Sequence, residues 1–238
     1  GTDSSLLSVI GGGSASPNSA DVAFRRYGPP TTAASLTGAN VFALGAIQFA
    51  AVGQATYAAN LQARAIKAWK WAQDHPNITF YNAGTLAAGE QQTGTYETDM
   101  RRLTGACYLY ALTGNTSYRN YFDANYTNAQ LLMWTYAYPF QGPEQDGLLY
   151  YTKIPGATAG VRTAIINAYS NSMQTNNADN LPAYTNKTDA YRAWVNNGNY
   201  TWNSNQTKSR QGNMFLAMID YTLNTANAAN YINAASGF

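Results

Sequence analysis

The eight prolines of this 238-residue chain constrain its fold more than any other feature, because all of them lie between segments with helical apolar spacing. Proline fixes φ and lacks a backbone N–H, so it interrupts a helix interior and usually marks a joint between helices. The prolines are Pro17, Pro29, Pro30, Pro76, Pro139, Pro143, Pro155 and Pro182. We therefore expect a succession of helices joined at these positions.

The segments between the prolines show the 3.6-residue apolar period of helices, and none sustains the period-two alternation of a strand. The first runs from an N-cap at Thr31 or Thr32 to Ala51 and is apolar nearly all round, which predicts an inner helix buried on most sides. Residues 57–74 instead show an amphipathic pattern that predicts a half-exposed helix. Further helices are predicted at residues 99–113, 118–126, 129–138, 160–173, 188–195, 208–223 and 226–235.

Gly114 and Asn115 predict a sharp turn between two of these helices. Glycine tolerates the left-handed conformation that commonly ends a helix, and asparagine is a preferred N-cap residue. We therefore expect a tight helical hairpin at this point. Residues 144–147 suit a turn, and residues 148–152 suit either a short strand or a loop.

The fold class that these segments predict is all-α, with helices paired as inner and outer layers. Such pairs form either part of a toroid of helical hairpins or a solenoid. The sequence contains no exact repeat of fixed period, which favours the toroid. With 45% hydrophobic residues, the chain can bury a substantial core as one large domain.

Charged residues are scarce, at 11% of the chain against about 25% in an average soluble domain. The net charge of +2 includes no run of Lys or Arg, so the electrostatic footprint of a nucleic-acid binder is missing. The longest apolar stretch, residues 41–52, is interrupted by Gly45 and Gln48 and is shorter than the ~20 residues of a membrane helix. We expect neither nucleic acid nor a membrane as partner.

Cys107 is the only cysteine and His75 is the only histidine. A single cysteine excludes an internal disulfide and a thiolate metal cluster. A Ser-His-Asp arrangement could use only His75, which precedes Pro76 at a predicted helix end. We therefore expect no metal and no cofactor.

Six Asn-x-Ser/Thr sequons are consistent with a secreted, N-glycosylated protein. The chain does not begin with the basic and apolar residues of a signal peptide, so secretion would imply a processed or excised chain. The candidate glycosylation sites are Asn77, Asn115, Asn125, Asn186, Asn199 and Asn205.

Four short motifs follow one another in an order that resembles a known family. They are a Pro-rich loop entering a Thr- and Ala-rich helix at residues 27–36, Ala-Trp-Lys-Trp-Ala at 68–72, Leu-Tyr-Ala-Leu-Thr-Gly-Asn at 109–115 followed by Tyr118, and Tyr-Thr-Trp-Asn-Ser-Asn at 200–205. Together with the final helix at 231–235, they resemble the middle portion of the catalytic domain of glycoside hydrolase family 9, the cellulase or endoglucanase type.

The resemblance implies that residues 1–238 form a single incomplete (α/α)6 barrel. It also implies hydrolysis of β-1,4-linked glucan with inversion, by an Asp base and a Glu acid. In the family, the base belongs to an Asp-Ala-Gly-Asp motif well before the matched region, and the Glu that acts as general acid lies well after it. Because this chain contains neither motif, we expect it to be inactive alone. The sequence also departs from the family at residues 99–104, where an aromatic residue is lost, and at Asn203, which replaces a glycine.

Aromatic residues in or beside predicted loops are the candidate substrate-binding residues, since flat rings can stack on sugars. They are Tyr27, Trp134, Tyr138 and Trp202. Trp69, on an apolar helix stripe, is better explained as core. Glu97 and Asp99 are expected to stabilise a helix start rather than catalyse.

The expected partners are a polysaccharide of the β-glucan class and either the remaining barrel segments or further copies of the chain. The second expectation arises because the apolar faces of residues 36–47 and 231–238 would be partly uncovered in an incomplete barrel. Two functions remain open. The chain is part of a secreted glycoside hydrolase, or it is a catalytically inactive relative that serves as a glycan-binding or structural subunit of an extracellular assembly.

Overall fold

The computed structural model of the protein describes residues 30–79, 93–175, 180–186 and 204–238. Within these ranges the chain is mostly helical and has no strand, so the all-α prediction is confirmed. The helices are α1 (Thr32–Ala51), α2 (Ala55–Asp74), α3 (Thr95–Thr113), α4 (Thr116–Asn125), α5 (Gln130–Trp134), α6 (Gly142–Lys153), α7 (Ala159–Thr175), α8 (Leu181–Asn186), α9 (Ser204–Asp220) and α10 (Ala228–Gly237). The helix predicted at 188–195 lies outside the described residues.

The described residues belong to two compact units, 1–105 and 106–238, and the boundary falls within α3. Each unit has its own buried core, with Leu36 and Trp69 in the first and Tyr151 and Phe215 in the second. The assignment of residues 1–238 to a single incomplete barrel domain therefore remains a prediction.

In the first unit, α1 and α2 pack against each other through small side chains. Thr31 caps α1 as predicted, because its side chain accepts a hydrogen bond from the Ala34 N–H at 3.1 Å. A Cβ at Gly45 would lie 3.3 Å from Leu61, so the missing side chain brings the helices close together. The alanines buried on the two helices are Ala33, Ala39, Ala43 and Ala46 on α1 and Ala58, Ala65 and Ala72 on α2.

The opposite face of α1 is exposed, so the prediction of burial on most sides is wrong. Val41 is 62% exposed, Phe49 40% and Val52 70%. The uniform apolar pattern does not distinguish a helix covered all round from one covered along a single stripe of small residues. The described residues cover only the stripe that includes Leu36, Ala39 and Ala43.

The helix predicted to run from Thr31 or Thr32 to Ala51 is confirmed as α1, which has 20 residues. The comparison of the stretch 41–52 with a membrane helix understates the apolar length, because the Thr- and Ala-rich first half belongs to the same helix. Its mean hydropathy of 1.3 and its length are sufficient for a membrane crossing, and 28% of its most apolar window is buried. A core helix of a soluble protein satisfies the same two criteria, so this is weak evidence of a membrane segment.

Hydrogen bonds join the start of α1 to the end of α2. The Thr32 hydroxyl donates to the His75 carbonyl oxygen at 2.5 Å and accepts from the Ile78 N–H at 2.9 Å. His75 follows the last residue of α2, as predicted, and its ring stacks on Trp71 with centroids 4.3 Å apart. The only histidine of the chain is thus a helix-end residue.

In the second unit, the predicted hairpin between α3 and α4 is confirmed. Gly114 has φ +67°, the left-handed conformation that ends α3. The Asn115 side chain then accepts a hydrogen bond from the Ser117 N–H at 3.0 Å and caps α4. Two residues therefore turn the chain between the helices.

Tyr151 joins α4, α6 and the start of α7. Its ring is fully buried and stacks on Phe122 with centroids 3.9 Å apart. Its hydroxyl donates to Asp123 Oδ1 at 2.5 Å, and the Thr158 hydroxyl donates to Asp123 Oδ2 at 2.6 Å. Burial and the bond to Asp123 raise the pKa of Tyr151 to about 12, which keeps the phenol protonated as a donor.

The turn predicted at 144–147 and the strand or loop predicted at 148–152 are both wrong, because these residues form α6. Pro143 lies at the first positions of that helix, where its missing N–H costs nothing. Leu148 and Leu149 are both buried, since the helix has protein on more than one side. The consecutive apolar residues that resembled a strand are those of a nearly enclosed helix.

A buried polar cluster formed by Ser172, Asn180 and Gln211 links α7, α8 and α9. The Asn180 amide donates to the Ser172 carbonyl oxygen at 2.9 Å and to its hydroxyl at 3.1 Å. The Gln211 amide donates to Asn180 Oδ1 at 2.9 Å. All three side chains are 2% exposed or less, so their hydrogen bonds replace bonds to water.

Candidate functional site

The chain leaves the helical conformation immediately after Trp134, although the sequence pattern predicts a helix to residue 138. Thr135 adopts φ 49° and ψ 44°, the left-handed region that a β-branched residue rarely occupies. The chain is extended further on, with Tyr138 at φ −134° and ψ 130°. The helix therefore ends four residues earlier than predicted.

The residues that follow form an alternating row of rings, which we call the aromatic segment (residues 134–140). Ala137 and Pro139 are buried, whereas Tyr136, Tyr138 and Phe140 are half-buried or exposed. Neighbouring ring centroids are 5.5 Å apart for Tyr136 and Tyr138, and 5.0 Å apart for Tyr138 and Phe140. Trp134, at the start of the segment, is 55% exposed.

Backbone hydrogen bonds from the core fix the position of the aromatic segment. The Ala137 N–H donates to the Ser172 hydroxyl at 2.6 Å, which connects the segment to the buried polar cluster. The Tyr138 carbonyl oxygen accepts from Gln145 Nε2 at 2.6 Å and from the Gln141 N–H at 2.9 Å. The rings therefore stand on a backbone that is bonded at two neighbouring residues.

Glu144 supports the same region from the first turn of α6. Its side chain is 5% exposed, and its Oε1 accepts a hydrogen bond from the Gln130 N–H at 3.0 Å. Gln130 in turn accepts a 2.5 Å bond from Gln141 Nε2. This buried carboxylate holds the start of α5 against the start of α6, which is a structural role.

A cleft of about 230 Å³ is linked to the aromatic segment through Gln145, which lines the cleft and donates to the Tyr138 carbonyl oxygen. It lies among the first residues of α6, the buried Tyr169 of α7 and one face of α9. Asp146 of α6 and Arg210 of α9 line it together, and the described residues include no ion pair between them. The lining residues are Gly142, Pro143, Gln145, Asp146, Tyr169, Arg210, Asn213 and Met214.

Burial changes the pKa of two ionisable side chains that line this cleft. Burial raises the pKa of the Asp146 carboxyl, although the residue is exposed on one side. Burial and then the Asp146 charge raise the pKa of Tyr169 well above its ordinary value. This phenol therefore remains protonated at neutral pH.

A second, smaller cleft of about 110 Å³ lies in the first unit, at the starts of α1 and α3. Threonines provide much of its wall, and Arg102 also lines it. Arg102 Nη1 lies 3.3 Å from Asp99 Oδ1. Glu97 occupies the first turn of α3, as expected for a carboxylate that stabilises a helix start, whereas Asp99 lies just beyond that turn.

Two of the four predicted substrate-binding residues, Trp134 and Tyr138, lie four residues apart in the aromatic segment, and the Tyr138 ring lies next to those of Tyr136 and Phe140. Tyr27 and Trp202 lie outside the described residues. Tyr136 and Phe140 were not among the substrate-binding residues predicted from the sequence. The pattern that would indicate them is Tyr-Ala-Tyr-Pro-Phe, in which large rings alternate with small or rigid residues. Trp69 is 8% exposed and belongs to the core, as predicted.

The candidate glycosylation sites differ in how their side chains are used. Asn77 and Asn205 are exposed, and no hydrogen bond of either side chain occurs in the described part of the chain. Asn115 caps α4, and the Asn125 amide donates to the Tyr121 carbonyl oxygen at 2.8 Å. The side chain of Asn186 and the whole of Asn199 lie outside the described residues.

No group of three or more His, Cys, Asp and Glu side chains suited to a metal ion occurs among the described residues. Cys107 is buried, and burial raises the pKa of its thiol well above the ordinary value. Its Sγ donates to the Gly147 carbonyl oxygen at 3.3 Å, a packing role.

Solved structures with a similar fold are endoglucanases. A metagenome-derived glycoside hydrolase family 9 endoglucanase shares 19% identity at a TM-score of 0.67, over 87% of this chain and 35% of that one. A single mutant of a thermostable endoglucanase from Alicyclobacillus acidocaldarius shares 18% identity at a TM-score of 0.64, over 87% of this chain and 37% of that one. AaCel9A in complex with cellobiose-like isofagomine shares 16% identity at a TM-score of 0.65, also over 87% of this chain and 37% of that one.

The chain thus spans about a third of the length of these structures, and its fold is part of the (α/α)6 barrel that the family resemblance implied. Among curated protein sequences, none matches it. The model of the family described as Glycosyl hydrolase family 9 matches residues 17–237, nearly the whole chain. This protein chain therefore belongs to glycosyl hydrolase family 9.

Proposed function

We propose that the chain is part of the catalytic domain of a glycoside hydrolase that acts on β-1,4-linked glucan, and that the aromatic segment binds the glucan. The observation that carries the proposal is the row of Tyr136, Tyr138 and Phe140, fixed by hydrogen bonds to its backbone. Sugar rings expose flat C–H faces, and aromatic rings provide apolar faces of matching shape. A pre-positioned row loses little entropy when a chain of sugars binds.

Trp134 and its neighbour Met133 provide a matched test of this proposal. The two side chains are 55% and 57% exposed, so both can be removed without opening the core. Calorimetric titration of the full-length protein with cellotetraose should show that Trp134→Ala weakens binding about tenfold or more, and that Met133→Ala changes it less than about twofold. Equal effects of the two substitutions, or no effect of either, would contradict a role of the Trp134 ring.

The proposed reaction is inversion at the anomeric carbon, with the catalytic Asp and Glu contributed by residues outside this chain. An inverting pair needs carboxyl groups about 6.5–9.5 Å apart, with room for a water molecule. The hydrogen bond of Glu144 to the Gln130 N–H favours a structural role for the buried carboxylate of this chain. Proton NMR of the first product should show the α-anomer in the full-length protein, and Glu144→Gln should leave turnover within about twofold.

The second candidate function is that of a catalytically inactive relative that binds glycan or forms a structural subunit of an extracellular assembly. The structural use of Glu144 and the charge-poor composition both favour this function. The measurement that separates the two candidates is hydrolysis of soluble β-1,4-glucan by the full-length protein. Turnover supports the enzyme, and binding of cellotetraose without turnover supports the inactive relative.

Secretion and glycosylation are part of the proposal. The exposed Asn77 side chain, which belongs to an Asn-Ile-Thr sequon, supports them. Secreted protein from a eukaryotic host should carry a glycan at Asn77 that an amidase removes with conversion of that residue to Asp, detected by mass spectrometry of its peptide. An unmodified Asn77 in secreted protein that is glycosylated elsewhere would contradict the assignment of this site.

A further inference from the structure

Gln145 carries a buried hydrogen-bond acceptor that the described part of the chain does not satisfy. The residue is 2% exposed, and its Nε2 donates to the Tyr138 carbonyl oxygen at 2.6 Å. Its Oε1 is buried and has no hydrogen-bond partner among the described residues. Buried side-chain oxygens are nearly always paired, and an unpaired one needs an explanation, of which a bound ligand or water is one.

The orientation of this amide is fixed by its donor. If the two ends of the amide were exchanged, Oε1 would face the Tyr138 carbonyl oxygen, and two acceptors would repel each other. The bond therefore directs an acceptor, rather than a donor, away from the aromatic segment. Gln145 is also one of the residues that line the cleft of about 230 Å³.

The other groups of the cleft restrict what can bind beside Gln145. Asp146 supplies an acceptor, Arg210 supplies donors, and Asn213 supplies both. One carboxylate and one guanidinium nearly balance in charge, so the cleft selects neither an anion nor a cation. A hydroxyl group can donate to one neighbour while it accepts from another, and the adjacent hydroxyls of a sugar suit such a mixed wall.

We propose that Gln145 Oε1 accepts a hydrogen bond from a hydroxyl of a glucosyl unit bound in this cleft, next to the units that stack on the aromatic segment. The proposal rests on the proposed glucan-binding function. It assigns Gln145 as a specificity-determining residue that couples the two sites, because one amide bonds the Tyr138 backbone with its nitrogen and the sugar with its oxygen. Asn213, exposed on α9, borders the same sugar unit.

The test compares variants and ligands in the full-length protein by calorimetric titration. Gln145→Met should weaken binding of cellotetraose about tenfold, because the acceptor is lost. Among single-deoxy analogues of cellotetraose, one should bind the unmodified protein about tenfold more weakly than the parent. Gln145→Met should bind that analogue and the parent alike, since the bond is already absent.

Asn213→Ala keeps the test valid if Gln145→Met disturbs the aromatic segment. The Asn213 side chain is exposed and makes no hydrogen bond within the described residues, so its removal leaves the fold intact. We expect about three- to tenfold weaker binding of cellotetraose. Asn167→Ala on α7, another exposed asparagine outside the cleft, is the matched control and should bind normally.

The outcomes separate this inference from the function on which it rests. If Trp134→Ala weakens binding while Gln145→Met and Asn213→Ala bind cellotetraose normally, the inference is wrong and the aromatic segment still binds glucan. If every deoxy analogue loses equal affinity in the unmodified protein and in Gln145→Met, the inference is also wrong. If the unmodified protein does not bind cellotetraose at all, the proposed function fails first.

Discussion

The α1–α2 pair and the region around the aromatic segment are stabilised by different kinds of interaction. The pair is joined mainly by small apolar residues, with Gly45 allowing Leu61 to approach, and one face of α1 remains exposed. The second region is joined by side-chain hydrogen bonds between distant residues, such as Ala137 to Ser172 and Tyr151 to Asp123. Close packing of small residues brings the two helices together, whereas directional bonds fix the backbone that carries the rings.

We expect the largest single loss of stability at Tyr151 in the second region. Tyr151→Ala should lower the free energy of unfolding by about 3–5 kcal/mol, because a stacked, fully buried ring is replaced by a cavity. Tyr151→Phe keeps the ring and should cost about 1–2 kcal/mol through the lost bond to Asp123. Guanidinium unfolding measures both, and equal losses would mean that the stacking contributes nothing.

Ser172→Ala tests the directional bonds without opening a large cavity. It leaves the buried Ala137 N–H unpaired and should cost about 1–3 kcal/mol in urea unfolding. Because that bond positions the aromatic segment, the loss should be accompanied by weaker binding of cellotetraose. Ser236→Ala, on the exposed end of α10, is the control and should change stability by less than about 0.5 kcal/mol. Equal losses of unfolding free energy in the two variants would mean that the buried bond contributes no more to stability than the exposed one.

Gly105→Ala and Gly38→Ala test close packing in the first unit. A Cβ at Gly105 would lie 2.5 Å from Asn40 Oδ1 and 3.1 Å from the Trp69 ring, whereas at Gly38 the nearest side-chain atom is 3.7 Å away. Overpacking at Gly105 should outweigh the gain in helix propensity and cost about 1 kcal/mol net. Gly38→Ala should stabilise by about 0.5–1 kcal/mol. The midpoints of thermal unfolding should therefore shift in opposite directions, and shifts in the same direction would contradict the packing at Gly105.

Val41→Ser should have the smallest effect, because the face of α1 that carries Val41 is exposed. We expect a change below about 0.5 kcal/mol in this chain, against about 2–5 kcal/mol for Leu36→Ala on the buried stripe. The free energy of unfolding of the same Val41→Ser variant should also be measured in the full-length protein. A loss above about 1 kcal/mol there would show that other segments or a second copy cover this face.

The helices of both regions are largely predictable from the sequence, because apolar period, prolines and caps are local signals. Thr31, Gly114 and Asn115 mark helix ends through their own backbone preferences. The errors arise where distant residues decide the structure. Residues 144–152 fit a turn and a strand or loop in the sequence, because consecutive apolar residues suit a strand and an enclosed helix equally well.

The candidate site is only half predictable for the same reason. Trp134 and Tyr138 can be found as loop aromatics, but the helical pattern continues through the residues that contain Tyr136. The bonds that fix this conformation connect Ala137 to Ser172, 35 residues away, and Tyr138 to Gln145. No local sequence pattern specifies these hydrogen bonds. The row of rings itself can be found in the sequence, because its aromatic residues alternate with Ala137 and Pro139.

A structure of the full-length protein with bound cellotetraose would show whether the aromatic segment is a glucan-binding surface. We expect a glucosyl ring stacked on Tyr136, Tyr138 or Phe140, and a neighbouring unit in the cleft near Gln145. An ordered cellotetraose bound elsewhere, with these rings and the cleft unoccupied, would contradict a glucan-binding role of the segment.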